Sequence, residues 1–240
     1  MAVERALLLI ADIGGYTRFM RLHRMSLAHS QEITARLLEA VVEAAPLLRL
    51  VEIEGDAAFL YAPHEEADEA SAAQATAALA LAMHQAFHER QQWMRASNMC
   101  SCPGCKQAGQ LKVKFVAHIG EVAAQTVLDR TKIVGVDVIA VHRMLKNTVP
   151  VPEYLLMSEP VYANADSKTR GRAAGIELEL EGLGSVKSYF VDIDEVALPL
   201  PPPPRLSLPR RLKETLGVVL PAAPVVLGLR KPRGAAPSES

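Results

Sequence analysis

The chain of 240 residues is half hydrophobic and carries a net charge of −1 at pH 7. This composition suits one domain with a buried core and gives no electrostatic support for nucleic-acid binding. No uninterrupted apolar stretch reaches the roughly 20 residues of a membrane span, and the N-terminus lacks the pattern of a secretory signal. All three cysteines lie in one hexapeptide, which indicates a reducing compartment rather than a disulfide framework. We therefore expect a cytoplasmic protein.

The first of two acidic stretches lies near the N-terminus. Residues 5–11 form an apolar run typical of a buried central strand, and Asp12 follows it directly, ahead of two glycines. Beyond this turn, Thr17 is expected to cap a short basic helix, and residues 26–45 keep the spacing of an amphipathic helix. Asp12 is therefore predicted at the edge of a strand, beside exposed backbone N–H groups.

The second acidic stretch is a predicted hairpin. Residues 51–53 and 57–61 read as two strands joined by a tight Glu-Gly turn, and Asp56 lies just past that glycine. Asp12 and Asp56 are therefore expected to meet across adjacent strands. Two carboxylates beside glycine-exposed amides suit Mg²⁺ and the phosphates that it carries. The alternative is that both are ordinary turn aspartates.

The next segments complete a recognisable order of elements. A long helix is predicted over residues 65–98, a loop over 99–110, and strands over 112–118 and 122–128 with a break at Gly120. The order up to this point is strand, helix, strand, strand, helix, strand. It predicts an α+β fold with a ferredoxin-like βαββαβ core.

The rest of the domain is predicted to contain one more helix, a turn of helix capped by Ser158 and three more strands. The helix spans residues 137–147 and carries Arg143. Three strands are predicted after it, at residues 154–157, 176–180 and 186–193. Residues 1–194 are therefore interpreted as one domain.

The composition changes sharply after this domain. Residues 195–240 are rich in proline, which prevents long helices apart from a short one near 209–216. We interpret this region as a linker and tail. Its apolar stretch, residues 216–229, is too short for a membrane span, so it is either a docking segment for a protein partner or a monotopic membrane contact.

The predicted loop at residues 99–110 carries three thiols, Cys100, Cys102 and Cys105. Three soft ligands are one short of a closed tetrahedral zinc site, so a fourth would come from His84, His88 or a second chain. The alternatives are a redox or regulatory role, or a reduced turn that binds no metal.

Six short motifs occur along the chain. They lie at residues 12–17 (DIGGYT), 54–57 (EGDA), 118–122 (HIGEV), 135–144 (GVDVIAVHRM), 158–162 (SEPVY) and 181–191. In this order they resemble the motifs of class III nucleotidyl cyclases, the adenylate and guanylate cyclase catalytic domains. The resemblance covers roughly residues 5–194 and is closest to a divergent, uncharacterised bacterial branch of that superfamily.

The resemblance implies a head-to-tail homodimer with active sites at the subunit interface. In that family two aspartates hold two Mg²⁺ or Mn²⁺ ions, which activate the ribose hydroxyl and neutralise the triphosphate of ATP or GTP. Asp12 and Asp56 match these metal ligands, and Arg143 matches a transition-state arginine supplied by the other subunit. The phosphate cradle corresponds to the backbone amides of Ile13, Gly14 and Gly15.

Four positions depart from the family pattern. The ribose-binding asparagine is Ile139 here, and a phosphate-binding lysine is Glu181. The two purine-selecting positions are Glu52 and Lys132, which are expected to pair with each other and close the base pocket. Loss of one transition-state donor alone costs about 3 kcal/mol of catalysis, so efficient cyclisation is not expected.

These observations favour a divergent cyclase-like signalling or regulatory domain. It would be a dimer that binds Mg²⁺ and a purine nucleoside triphosphate, with weak or no turnover. One alternative is an active nucleotidyl cyclase that forms a cyclic nucleotide and pyrophosphate. Another is a non-catalytic interaction protein whose cyclase site is vestigial.

Overall fold

The computed structural model describes residues 3–22, 27–65, 68–99, 103–128, 130–203 and 206–219. The strands in this part of the chain are β1 (Val3–Gly14), β2 (Arg49–Glu54), β3 (Ala57–His64), β4 (Lys112–Val127), β5 (Arg130–Val134), β6 (Tyr154–Ser158), β7 (Ala174–Leu180) and β8 (Gly184–Asp192). The helices are α1 (Tyr16–Leu22), α2 (Leu27–Glu43), α3 (Glu69–Ser97), α4 (Pro103–Ala108), α5 (Val136–Met144), α6 (Glu159–Asn164), α7 (Ser167–Arg172) and α8 (Leu208–Val219).

The chain divides into two compact units. The first comprises Met1–Gly14, Leu38–Phe87 and Lys112–Leu200, and it contains the β-strands named above. The second comprises Gly15–Leu37, His88–Leu111 and Pro201–Ser240. Helices α2 and α3 each contribute turns to both units.

The strands of the first unit form one sheet. Its order is β2-β3-β1-β4-β6-β8-β7, and β5 pairs with β4 beside this path. β1 lies between β3 and β4 and is antiparallel to both, whereas β6 joins β4 in parallel. Helices connect β1 to β2 and β3 to β4, so the four strands β2-β3-β1-β4 form the ferredoxin-like βαββαβ core. The predicted α+β fold is confirmed.

Strand β1 is the buried centre of this sheet. Residues 6–11 are all at most 2% exposed. Because a central strand with both faces covered needs apolar side chains at every position, an unbroken apolar run forms β1. Its side chains Leu8 and Ile10 pack in one cluster with Phe59 and Leu156, and this packing holds the end of the strand that carries Asp12.

The predicted strand break at Gly120 is wrong. Strand β4 runs without interruption over Lys112–Val127, and Gly120 pairs with Ala6 inside it. Glycine is needed here because of a close contact rather than a turn, since a Cβ atom at this position would lie 2.2 Å from Cγ of Asp137. Strand β5, which the sequence pattern does not predict, then returns along β4.

In the second unit, part of the predicted loop at residues 99–110 is a helix. Helix α4 begins at Pro103, a residue that suits the first turn because it has no N–H to donate. The buried side-chain amide of Gln91 donates hydrogen bonds to the carbonyls of Ala108 at 2.8 Å and Leu111 at 2.9 Å. These contacts satisfy carbonyls at and just beyond the end of α4, where the helix itself supplies no donor.

The C-terminal strands of the domain form as predicted, as β6, β7 and β8. Helix α7 is an addition to the prediction, and Asp166 caps it by accepting hydrogen bonds from the N–H groups of Lys168 and Thr169. The short helix expected near residues 209–216 is α8, which extends by a few residues beyond that range. None of the described helices is long and apolar enough to cross a membrane.

Candidate functional site

Asp12 and Asp56 lie at neighbouring strand ends in the first unit. Gly55, with a φ of 66°, allows the tight turn between β2 and β3. Asp12 pairs with Ala57 across β1 and β3, and the N–H of Ile13 donates to the carbonyl of Asp56 at 3.0 Å. The pairing of β1 with β3 therefore brings together the two aspartates that the sequence singled out.

The two carboxylates influence each other electrostatically. Burial, followed by the negative charge of Asp12, raises the pKa of Asp56 above its usual value, and a backbone hydrogen bond and Lys114 offset this only in part. A bound cation reduces the repulsion between two like charges in a half-buried position. Carboxylate oxygens are also the ligands that Mg²⁺ prefers, so these residues fit the metal that the cyclase resemblance implies.

Lys114 also belongs to this site, although the sequence motifs do not include it. It is the cross-strand neighbour of Asp12 on β4, and its Nζ lies 2.9 Å from Oδ2 of Asp12. Burial would lower the pKa of Lys114, but the hydrogen bond and charge of Asp12, with the charges of Tyr154 and Asp56, outweigh burial and raise it. The sequence does contain a signal that could have revealed Lys114. Polar and apolar residues alternate over 112–118, and this alternation puts Lys114 on a different face of the strand from its apolar neighbours.

The residues predicted to cradle phosphates follow Asp12 directly. The N–H of Ile13 is already bonded to the carbonyl of Asp56. Gly14 is the last residue of β1, and Gly15 has a φ of 84°, a left-handed conformation that lets the chain turn into α1. Binding of phosphate by these amides stays a prediction.

Glu52 and Lys132, the two purine-selecting positions, form an ion pair. Nζ of Lys132 lies 2.8 Å from Oε2 and 3.1 Å from Oε1 of Glu52. The side chains are 37% exposed for Glu52 and 58% for Lys132, so the pair stands in partly solvated surroundings and contributes little to stability. Each charged group uses the other as its partner, as expected from the sequence, and their part in base selection stays a prediction.

Arg143 lies on α5, next to the turn between β7 and β8. Its Nη1 would be 3.1 Å from a Cβ atom at Gly182, which has a φ of 73°. Glu181, the residue before Gly182, is exposed. Ile139 lies one turn before Arg143 on the same helix and is 47% exposed. The role of Arg143 in the active site of a partner subunit stays a prediction.

The HIGEV motif lies within β4 and is hydrogen-bonded to Asp137 on α5. Nε2 of His118 lies 2.8 Å from Oδ1 of Asp137, and Oδ2 of Asp137 accepts the N–H of Glu121 at 2.7 Å. The hydrogen bond with His118 is the main cause that lowers the pKa of Asp137. Burial opposes it, and the N–H of Glu121 with the charges of His118 and Arg5 add to the lowering. His118 therefore has a structural partner in this motif.

We predict a pH-dependent contribution of Asp137 to stability. Because its pKa is lowered in the folded state, this contribution is present above the unfolded value of 3.8 and is lost as the pH falls through the folded value. Asp137→Asn should therefore lower the free energy of unfolding at neutral pH, and its difference from the wild type should shrink below pH 3.8. Urea denaturation over a pH series measures this. A difference that stays constant in acid, or that also appears in Glu179→Gln on the exposed face of β7, contradicts the prediction.

The predicted zinc site falls largely outside the described residues, because Cys100 and Cys102 are not among them. Cys105 lies on α4, where its Sγ accepts a hydrogen bond from Nδ2 of Asn98 at 2.9 Å. In the first unit, Nε2 of His84 lies 3.6 Å from carboxylate oxygens of Glu153 and Asp194. The zinc hypothesis for the three cysteines therefore stays a prediction without structural support.

A buried carboxylate, Glu153, is a further feature that the sequence pattern does not reveal. Its side chain is 0% exposed. Its Oε1 accepts the N–H of Val113 at 2.9 Å, and its Oε2 lies 2.6 Å from Nζ of Lys112. This group fixes the first residues of β4, and β4 carries Lys114. The local sequence contains no signal for it, since a glutamate after a proline reads as an exposed loop residue.

A family model for proteins of unknown function, DUF2652, matches residues 34–154, which is half of the chain. An uncharacterised protein of Mycobacterium tuberculosis, Rv2561/Rv2562, is 39% identical over 169 residues, covering 69% of this chain and 76% of that protein. The chain belongs to the DUF2652 family. This DUF2652 protein thus has a mycobacterial relative that covers more than two thirds of its length.

The DUF2652 protein has the fold of class III nucleotidyl cyclase domains. The adenylyl cyclase CyaB from P. aeruginosa aligns with a TM-score of 0.60 at 16% identity, over 79% of this chain and 94% of that one. The guanylate cyclase domain of RhGC from Catenaria anguillulae, in complex with GTP, aligns with a TM-score of 0.55 at 19% identity, over 80% and 98%. A class III adenylyl cyclase-like ATP-binding protein from Pseudomonas aeruginosa aligns with a TM-score of 0.58 at 17% identity, over 71% of this chain and 36% of that one.

Proposed function

We propose that this protein is a divergent cyclase-like regulatory domain. It binds a purine nucleoside triphosphate together with Mg²⁺ or Mn²⁺ and turns the nucleotide over weakly or not at all. The juxtaposition of Asp12 and Asp56 at neighbouring strand ends of a cyclase-type sheet carries the proposal. Proteins of similar fold support it, because one is described as an ATP-binding protein and another is in complex with GTP.

The charges around the aspartate pair suit a nucleotide with its cation. Burial, followed by the negative charge of Asp12, raises the pKa of Asp56, and a bound divalent cation would offset both effects. When bound, such a cation neutralises the triphosphate and activates the ribose hydroxyl. Lys114 holds a positive charge 2.9 Å from Asp12, where it also attracts phosphate oxygens. Asp12, Asp56 and Lys114 therefore favour an anionic ligand only when a metal ion binds with it.

This chain lacks some of the side chains that make the transition-state contacts of a cyclase. Ile139 has no donor for the ribose, and the exposed Glu181 repels a triphosphate where the family has a lysine. The Glu52–Lys132 pair occupies both purine-selecting positions with a mutual contact. Since one missing donor costs about two to three decades of rate, binding without efficient cyclisation follows from these substitutions.

We also propose that the domain acts as a homodimer. The cyclase resemblance assigns Arg143 to the active site of the partner subunit, so one chain provides the metal ligands and the other the arginine. The surface of α5 that bears Arg143 supports this arrangement. Val136 and Ile139 on this helix are 64% and 47% exposed, and a second copy would bury these apolar side chains.

An active nucleotidyl cyclase is the second candidate function. The observation in its favour is that both aspartates that match the metal ligands are present and lie at adjacent strand ends. In this case Arg143 would supply the transition-state charge from the partner, and the base and ribose contacts would be unlike those of the known families.

We predict that Mg²⁺ with ATP or GTP raises the melting temperature of the 240-residue chain without forming a cyclic nucleotide. A ligand at a hundred times its dissociation constant stabilises a protein by about 2.7 kcal/mol, which thermal unfolding detects. Asp56→Asn should abolish this increase. The same variant should raise the melting temperature of the ligand-free protein, because a carboxyl with a raised pKa stabilises below 3.8 and loses that contribution as the pH rises to neutrality.

Glu4→Gln is the matched control, since it removes an exposed carboxylate from β1, the strand that carries Asp12. It should keep the response to nucleotide. Chromatography of the same samples detects cyclic products. A cyclic product that Asp12→Asn abolishes would identify a working cyclase, and a melting temperature unaffected by every nucleotide would indicate a vestigial site and contradict the proposal.

A further inference from the structure

Helix α8 presents a stripe of exposed leucines. Leu208, Leu212 and Leu216 follow one another at intervals of four residues and are 68%, 53% and 44% exposed. With 3.6 residues per turn, side chains at this spacing share one face of a helix. The three leucines therefore form a continuous apolar strip along an exposed face of this twelve-residue helix. Exposure of such a strip to water is unfavourable.

A different face of α8 attaches the helix within the second unit. Oγ1 of Thr215 accepts the N–H of Met99 at 3.0 Å. Oε2 of Glu214 lies 3.9 Å from Nη1 of Arg36. These contacts let the leucine stripe bind a surface outside the unit while the helix stays attached.

The charge around the stripe is strongly positive. Residues 205–233 contain a single acidic residue, Glu214, although the whole chain has a net charge of −1. Within the helix, Arg210 and Lys213 are both exposed. At about 100° per residue, Lys213 borders the leucine stripe, whereas Arg210 lies on the opposite, polar side of the helix. The basic residues of this segment are Arg205, Arg210, Arg211, Lys213, Arg230, Lys231 and Arg233.

We propose that α8 binds a membrane surface rich in anionic phospholipid, with the leucine stripe in the interface and Arg210 and Lys213 of the helix toward the headgroups. An amphipathic helix with leucines on one face and Lys or Arg on its polar side has this property, and each basic residue near an anionic membrane adds to the attraction. The sequence that follows supports this partner. Residues 216–229 carry no charge and precede three basic residues, an apolar segment too short to span a bilayer.

A second copy of the chain is a poorer match for this surface. A coiled coil needs three to four heptads, whereas α8 has twelve residues. Two such helices would also bring their basic residues together, and like charges at close range oppose association. An anionic surface removes this repulsion and accepts the leucines at the same time.

The test is flotation of the 240-residue chain with phosphatidylcholine vesicles and with vesicles that also contain phosphatidylglycerol. We expect binding to the anionic vesicles and its loss at high salt, since exposed charges are screened. Leu212→Asp should weaken binding about tenfold or more, because burial of one leucine contributes about 1.5–3 kcal/mol. Leu198→Asp is the control, since Leu198 is 76% exposed but lies outside α8, and it should bind as the wild type does.

A second variant separates charge from apolar burial. Arg210→Gln with Lys213→Gln should reduce the preference for anionic vesicles while the leucine stripe stays intact. Equal binding to neutral and anionic vesicles, or unchanged binding of Leu212→Asp, overturns the proposal. Self-association in sedimentation velocity that Leu212→Asp abolishes, without any flotation, also overturns it and assigns the stripe to a second copy.

Discussion

Replacing Glu153 with alanine is expected to lower the free energy of unfolding by about 2–4 kcal/mol, less than for a pair buried on both sides, because Lys112 is 40% exposed and stays hydrated. The side chain is fully buried and accepts hydrogen bonds from the N–H of Val113 and from Nζ of Lys112. Its removal leaves the buried amide of Val113 without its acceptor and opens a cavity. Burial lowers the pKa of Lys112, and the hydrogen bond and charge of Glu153, with a smaller effect of Asp194, raise it; the substitution removes the contribution of Glu153. Chemical denaturation measures the change.

Two controls make the effect of Glu153 specific. Glu153→Gln keeps the length of the side chain and an oxygen that accepts the N–H of Val113, so we expect a smaller loss of about 1–3 kcal/mol. Glu195→Ala removes an exposed glutamate and should change stability by less than about 0.5 kcal/mol. Equal losses in Glu153→Ala and Glu195→Ala would show that the buried network contributes nothing.

The second large effect is expected for Gly120→Ala, which should destabilise by about 3 kcal/mol. The added Cβ would lie 2.2 Å from Cγ and 2.5 Å from Cβ and Oδ2 of Asp137. Asp137 must then move, and its hydrogen bonds with His118 and the N–H of Glu121 are lost. Equilibrium unfolding in urea measures the destabilisation.

A double variant distinguishes this collision from a general effect of alanine. In Asp137→Gly the three colliding atoms are absent, so adding Gly120→Ala should cost much less than it does in the wild type. Gly171→Ala is the matched control, because Gly171 lies in α7 and an added Cβ atom would have no neighbour within 4 Å there. It should be neutral or slightly stabilising. Additive effects of Gly120→Ala and Asp137→Gly would contradict the explanation.

The aspartate pair could be predicted because its determinants are local. Asp12 ends an apolar run, and Asp56 follows a Glu-Gly turn of two residues. A hairpin places its own two strands side by side, and the only long-range step was the pairing of β1 with β3. That step was expected from the two local patterns, and the structure confirms that β1 and β3 are neighbours.

Lys114 and Glu153 could not be predicted in the same way. The contact of Lys114 with Asp12 depends on the register between β1 and β4, which pairs residues about a hundred positions apart. A shift of one residue would turn the lysine away from Asp12. Glu153 is buried only because β4 begins beside it, and burial of a charge depends on all its partners at once.

The amino-acid sequence by itself determined the central strand, the hairpin, the long helix and the positions of Asp12 and Asp56. Each follows from periodicity or turn chemistry within a few residues. Only the tertiary structure decided that β4 continues through Gly120, that Lys114 faces Asp12 and that Glu153 is buried. The physical reason is that these features depend on which distant side chains meet, and contact across the sheet, rather than local preference, sets their conformation and charge.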